Sequence, residues 1–145
     1  EVARVERSYV GCEFYAVDLD NAALDDAHDA SSQQFAVAVA NPHRVPITVR
    51  VDKNDAPFGS PPEVVEVVEK RVPPGDLEVF ALPRREVDGS SGIGLNDGTH
   101  TAVTSNAYRV VASHPVSAYQ FNPLENVNVF SNDASLLLPT SALGG

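Results

Sequence analysis

Apolar residues recur along most of this chain in short runs or at alternate positions, and turn-forming residues separate these stretches. Residues 35–40 are apolar throughout, whereas residues 45–52 alternate between Val or Ile and other residues. Because strand side chains point alternately to two faces, the first pattern predicts a central strand and the second a half-exposed strand. Residues 9–17 and 77–82 are also predicted to be strands. Pro46 cannot donate a ladder hydrogen bond, so it should lie at a sheet edge or beyond the pairing.

One stretch, residues 63–72, fits two interpretations. Its five valines in ten residues lie on one face of a helix, and the Ser60-Pro61-Pro62-Glu63 sequence before them resembles a helix start. The β-branching of valine and the Pro73-Pro74-Gly75-Asp76 turn that follows favour a strand instead. We predict a strand, with the helix as the alternative.

The densest strand signal lies in residues 107–138. Turn residues break it at His114-Pro115, at Asn122-Pro123 and at residues 131–133, and Pro139 ends it. We predict short strands between these breaks, among them residues 127–130 and 136–138. Rings on such strands pack favourably between sheets, so we place four aromatic side chains in the core rather than on an exposed ligand platform: Tyr108, Tyr119, Phe121 and Phe130.

These elements together predict an all-β fold with little or no helix. Short strands separated by turn signals are typical of an antiparallel β-sandwich, here of about eight strands. We assign residues 1–145 to one such domain. Asn41-Pro42 and Asn122-Pro123 each follow an apolar strand, which suggests that these two corners lie at the same end of the sandwich. The glycine-rich residues 88–98 are predicted to be a loop.

Composition and charge limit the classes of partner. No apolar run approaches the roughly 18 residues that a membrane-spanning helix needs, so we expect no membrane insertion. The formal net charge of −10 opposes binding to nucleic-acid phosphates, so we expect no nucleic-acid partner. The sequence starts at Glu1 without a leader, and we expect it to be a segment of a larger protein.

The reactive residues do not form a catalytic pattern. Cys12 is the only cysteine; burial as a small hydrophobic side chain is favoured, and a disulfide to a partner outside this segment is the alternative. The four histidines lack the spacing of a zinc site, and no Gly-x-Ser-x-Gly motif is present. We therefore predict a protein that is not an enzyme and has no catalytic residue.

The acidic segment after the first strand holds candidate metal ligands. Its carboxylate and amide oxygens are the ligand type that calcium prefers. The segment lacks the EF-hand pattern, so a solvated acidic loop is the ordinary interpretation and a calcium site is the alternative. No other cofactor is expected. The candidate calcium ligands are Asp18, Asp20, Asn21, Asp25 and Asp26.

Five segments carry a resemblance to a known family. They are residues 11–15, 18–21, 35–41, 108–123 and 130–139, of which the sequence HPVSAYQFNP within 108–123 is the most specific part. These segments resemble the IgGFc-binding protein N-terminal domain family, in particular its bacterial, myxobacteria-like members. The resemblance implies an extracellular, non-catalytic module for binding or adhesion in a surface or secreted protein. It assigns no binding residue.

The corners of the 107–138 stretch are where we expect a binding surface for a protein or glycan ligand. An alternative function is a structural subunit that binds copies of itself through its sheet edges and forms a filament or another surface assembly. The predicted surface residues are Asn122, Glu125, Asn126, Asn132 and Asp133.

Overall fold

The computed structural model describes residues 8–19, 21, 23–25, 28–30, 33–85, 87, 103–127, 129 and 132–143. Nine strands lie in this part of the chain: β1 Gly11–Ala16, β2 Ala23–Asp25, β3 His28–Asp29, β4 Phe35–Ala40, β5 Ile47–Asn54, β6 Val64–Val72, β7 Leu77–Leu82, β8 Tyr108–Asn122 and β9 Asp133–Leu136. Among the described residues, 3-10 geometry occurs at Thr140–Ala142 and at Ala30, and there is no α-helix. The prediction of an all-β fold is confirmed.

Seven strands form one antiparallel sheet that is nearly closed into a barrel. Its order is β6-β5-β8-β4-β7, and β1 and β9 each pair with β8. A sandwich of separate sheets is not confirmed, because β8 connects the two halves. The acidic segment, predicted to be a loop, contains the small β2-β3 ladder.

The strand β8 organises the sheet, and our prediction that His114-Pro115 interrupts it is wrong. β8 runs for 15 residues. Its first half lies between β1 and β5, and its second half between β4 and β9. Pairing with β5 ends at Ala112 and pairing with β4 begins at Ser117. Pro115, which has no N–H to donate, therefore falls where the strand changes partners and can be accommodated.

The core lies on the inner face of this sheet. Phe14, Phe35, Phe80 and Tyr108 are almost fully buried there. β4 lies between β7 and β8, and its first five residues are buried, as predicted for a central strand.

The next two strands also follow their sequence patterns. β5 alternates between buried and more exposed residues over its first half, as predicted. It starts at Ile47, so Pro46 lies before the pairing, and Val45 is exposed rather than inward. Residues 64–72 form the strand β6, which confirms our preference over a helix.

The placement of the β8 aromatic residues is partly wrong. Tyr108 is buried, but Tyr119 and Phe121 are only half-buried on the outer face, because Ala118 and Gln120 point inwards. Side chains alternate along a continuous strand, so residues 108 and 119 must face opposite sides. Phe130 lies outside the described residues.

Three further expectations fail for identifiable reasons. β9 starts at Asp133, which was predicted to be a turn residue, and Val127 and Val129 are not in a strand. The Asn-Pro corners lie at opposite ends, because antiparallel neighbours such as β4 and β8 end on opposite sides. Cys12 is exposed at the point where the β1-β8 register shifts, so it is not a core residue. Residues 88–98 lie outside the described part.

Candidate binding cleft

A polar cleft of about 280 Å³ lies at the end of β8. Three segments meet there: the chain after β1, the last residues of β8, and β9. Gln120 points inwards, so the cleft lies on the inner side of the sheet at this end of β8. The cleft is lined by Leu19, Asn21, Gln120, Asn122, Asp133, Ala134 and Ser135.

Amide side chains hold the chain after β1 across the end of β8. The Val17 N–H donates to Gln120 Oε1 at 3.0 Å. Asn21 Nδ2 donates to the carbonyl oxygen of Asn122 at 2.9 Å, and Asn122 Nδ2 donates to the carbonyl oxygen of Leu19. These bonds join residues that are about a hundred positions apart in the sequence, and they give the cleft a fixed frame.

The same amides leave polar atoms without a partner. Among the described residues, neither Gln120 Nε2 nor Asn122 Oδ1 has a hydrogen-bond partner, and neither does the carboxylate of Asp133. Gln120 is only 9% exposed, so its unpaired donor lies on the inner wall of the cleft. Ser135 adds a hydroxyl that can donate and accept. The cleft therefore offers donors and acceptors to a polar ligand.

Asp18 has a structural role beside this cleft. It is 5% exposed, and its Oδ2 accepts the backbone N–H of Arg85 at 2.9 Å. Its carbonyl oxygen accepts the N–H of Val87 at 3.1 Å. Asp18 thus fixes the segment that follows β7, and it does not line the cleft.

The predicted calcium ligands are only partly placed by the structure. Asn21 lines the cleft, Asp18 is buried behind it, and Asp25 lies in β2. Asp20 and Asp26 lie outside the described residues. No group of three or more His, Cys, Asp or Glu that could hold a metal ion occurs within the described ranges. Calcium binding stays a prediction.

The predicted binding surface is divided in the same way. Asn122 and Asp133 line the cleft, while Glu125, Asn126 and Asn132 are exposed outside it. Sequence reasoning missed Gln120, Ser135 and Leu19. No signal in the sequence pointed to Gln120, because the predicted core position of Tyr119 and Phe121 places the residue between them on the outer face.

A second cleft, of about 310 Å³, lies beside Tyr15, Lys53 and Arg109 on the outer face. Its charged side chains form ion pairs, mostly with residues that lie outside the cleft. Arg109 donates to both carboxylate oxygens of Glu13, at 3.1 and 3.3 Å. The hydrogen bonds that the Glu13 carboxylate accepts favour the charged guanidinium and raise the pKa of Arg109. The buried carboxylate of Asp52 lies 2.9 Å from Arg50. This paired network is a weaker candidate than the polar cleft.

Comparisons with known proteins identify no relative. No family model, curated protein or solved structure matches this chain. The resemblance to the IgGFc-binding protein N-terminal domain family therefore stays a prediction. Within the described residues, no helix is long and apolar enough to cross a membrane.

Proposed function

We propose that this chain is a non-catalytic binding module of an extracellular or cell-surface bacterial protein, and that it holds a protein or glycan ligand in the polar cleft. The observation that carries this proposal is a set of polar groups on a fixed frame that have no hydrogen-bond partner among the described residues: Gln120 Nε2, Asn122 Oδ1, the Asp133 carboxylate and the Ser135 hydroxyl. The extracellular location rests on the family resemblance.

The chemistry of the cleft suits recognition of a polar ligand. A ligand that pairs with Nε2 of Gln120 satisfies a donor for which the described protein atoms offer no partner, on a side chain that is only 9% exposed. The carboxylate of Asp133 accepts charge-assisted hydrogen bonds, which are stronger than neutral ones. Leu19 is 51% exposed at the rim and offers an apolar contact. Hydroxyl-rich glycans and peptide amides both present the complementary groups.

A second function is self-assembly, and a different observation favours it on a sheet face rather than at the sheet edges predicted from the sequence. The outer face formed by β7, β4, β8 and β9 carries apolar residues in register: Leu77, Val79, Ala81, Ala36, Ala38, Tyr119, Phe121, Ala134 and Leu136. The outer face of β1, β8, β5 and β6 instead carries charged residues: Glu13, Arg109, Arg50, Asp52, Glu66 and Glu69. In this proposal these two groups of strands act as the two layers of a sandwich, and β8 belongs to both layers.

Glycan and peptide arrays, followed by affinity measurements, test the main proposal. Asp133→Asn and Ser135→Ala change side chains that line the cleft and have no described partner. Glu125→Gln is the matched control, because it removes one exposed charge outside the cleft. We expect a ligand whose affinity falls about tenfold with Asp133→Asn, since hydrogen bonds to charged groups contribute about 1.5–3 kcal/mol. Ligands bound equally by all variants would contradict the proposal.

A further inference from the structure

The described sheet has an open edge at β9. The edges of β6 and β7 face each other, where Lys70 Nζ donates to Glu78 Oε1 at 2.6 Å and to the Val79 carbonyl oxygen at 2.9 Å. The edge of β1 that faces away from β8 is partly covered, because Pro139 forms an isolated β-bridge with Phe14 there. In the described part of the chain β9 pairs with β8 alone, and all four of its residues are exposed.

The hydrogen bonding shows which backbone groups face the open side. The Leu137 N–H donates to the carbonyl oxygen of Ala118 at 2.9 Å. In an antiparallel pair, alternate residues point their backbone groups towards the partner strand. The N–H and carbonyl groups of Ser135 therefore point towards β8, as those of Leu137 do. The N–H and carbonyl groups of Ala134 and Leu136 point to the open side. An extended chain can pair with these groups.

The two faces beside this edge differ in chemistry. Leu136 lies opposite Tyr119 on the apolar outer face and is 38% exposed. On the inner side, Ser135 and the exposed carboxylate of Asp133 line the polar cleft. A strand added here places one set of alternate side chains beside apolar residues and the other set beside a carboxylate.

We propose that an extended segment of another protein, with apolar and basic residues at alternate positions, adds to β9 as a further strand. This inference rests on the proposed function, because it names the partner class for the same cleft. Charge decides the occupant: Asp133 has no ion-pair partner among the described residues, and the chain carries a net charge of −10. At this edge a second copy brings the same negative charge and is disfavoured, whereas Lys or Arg in the added strand is attracted to Asp133.

The test uses an acetylated, fluorescein-labelled octapeptide of alternating Lys and Val, and its binding is followed by fluorescence anisotropy. Ala134→Pro removes an N–H on the open side but none that pairs with β8, a position where an edge strand tolerates proline. Ala134→Ser is the matched control, because it keeps the N–H. We expect at least a tenfold loss of affinity with Ala134→Pro and with Asp133→Asn, and none with Ala134→Ser. A Glu-Val octapeptide should not bind.

A second measurement leaves the protein unchanged and so does not depend on the folding of a variant. N-methylation of alternate residues removes the donors from one edge of the octapeptide. Methylation of the residues whose N–H groups face β9 should abolish binding. Methylation of the alternate residues, whose N–H groups face away from β9, should have no effect. Equal binding of both methylated peptides, or of the proline and serine variants, would show that charge attraction alone holds the peptide.

Two other outcomes also overturn the inference. Dimers of the wild-type chain that Ala134→Pro abolishes would assign the edge to a second copy. If array ligands depend on Asp133 and Ser135 but the Lys-Val octapeptide does not bind, the cleft is a binding site and the partner is not a strand. If no ligand depends on Asp133 or Ser135, the proposed function itself fails.

Discussion

Gly11→Ala tests the close contact between Gly11 in β1 and Pro139, which holds the segment after β9 against β1. A Cβ atom at position 11 would lie 2.3 Å from Cβ and 2.9 Å from Cγ of Pro139, closer than non-bonded carbon atoms approach. Gly11 does not have a positive φ, so alanine fits its backbone conformation. The expected cost is therefore steric.

The size of the effect follows from two opposing contributions. Overpacking of a closely packed contact costs typically about 1–3 kcal/mol. Replacement of glycine by alanine reduces the freedom of the unfolded chain, which offsets roughly 0.4–1 kcal/mol. We expect a net loss of about 1–2 kcal/mol in the free energy of unfolding, and a Tm that is lower by roughly 3–8 °C.

Urea denaturation followed by circular dichroism measures this change, and a double-mutant cycle assigns it to the contact. Pro139→Gly removes both clashing carbon atoms and should cancel most of the cost of Gly11→Ala, whereas Pro139→Ala keeps Cβ and should not. A Gly11→Ala variant as stable as the wild type, or a cycle with no coupling, would refute the steric account.

Three further predictions concern stability. Burial raises the pKa of Tyr108 to about 12. The pKa of tyrosine in the unfolded chain is about 10, so this stabilisation is complete below pH of about 10 and is lost as the pH rises towards 12. Urea unfolding should show up to about 1.4 kcal/mol less stability per pH unit in that range. Tyr108→Phe should remove this pH dependence. Lys70→Met should lower the free energy of unfolding, measured with urea, by about 0.5–1 kcal/mol, because it removes the ion pair with Glu78 where the edges of β6 and β7 face each other. Lys53→Met should cost less, because the ion pair between Lys53 and Asp55 lies away from these edges. If calcium binds the acidic segment, it should raise the Tm above that measured with chelator; identical melting curves would exclude the site.

The local pattern of apolar and turn-forming residues was sufficient to predict most of the strands, but it failed to predict the length of β8. The runs that became β4, β6 and β7 carry their signal within six to nine residues. At His114-Pro115 the local rule predicts an end, yet the chain continues because its neighbours change there. A tertiary arrangement decides that point, so no short window contains it. The wrong break then reversed the faces of Tyr119 and Phe121, since alternation carries over only along an unbroken strand.

The candidate site was predictable only in part, for a related reason. Asn122 and Asp133 stand out as turn-forming residues, and both line the cleft. Their meeting with Asn21 depends on pairing between strands about a hundred residues apart, which composition and spacing do not specify. Gly11 carries no local signal of its close approach to Pro139, because the contact joins the two ends of the chain.

The partner change within β8 also determines where a partner can dock. Because β8 serves both halves of the sheet, one half can present charged residues outwards while the other presents apolar residues. β9 belongs to the apolar half, and Leu136 lies both at its open edge and on its apolar face. Main-chain pairing and apolar contact are therefore available at one place, beside the carboxylate of Asp133. A segment that satisfies only one of these features gains less from binding, so the cleft should discriminate by strand pattern as well as by charge.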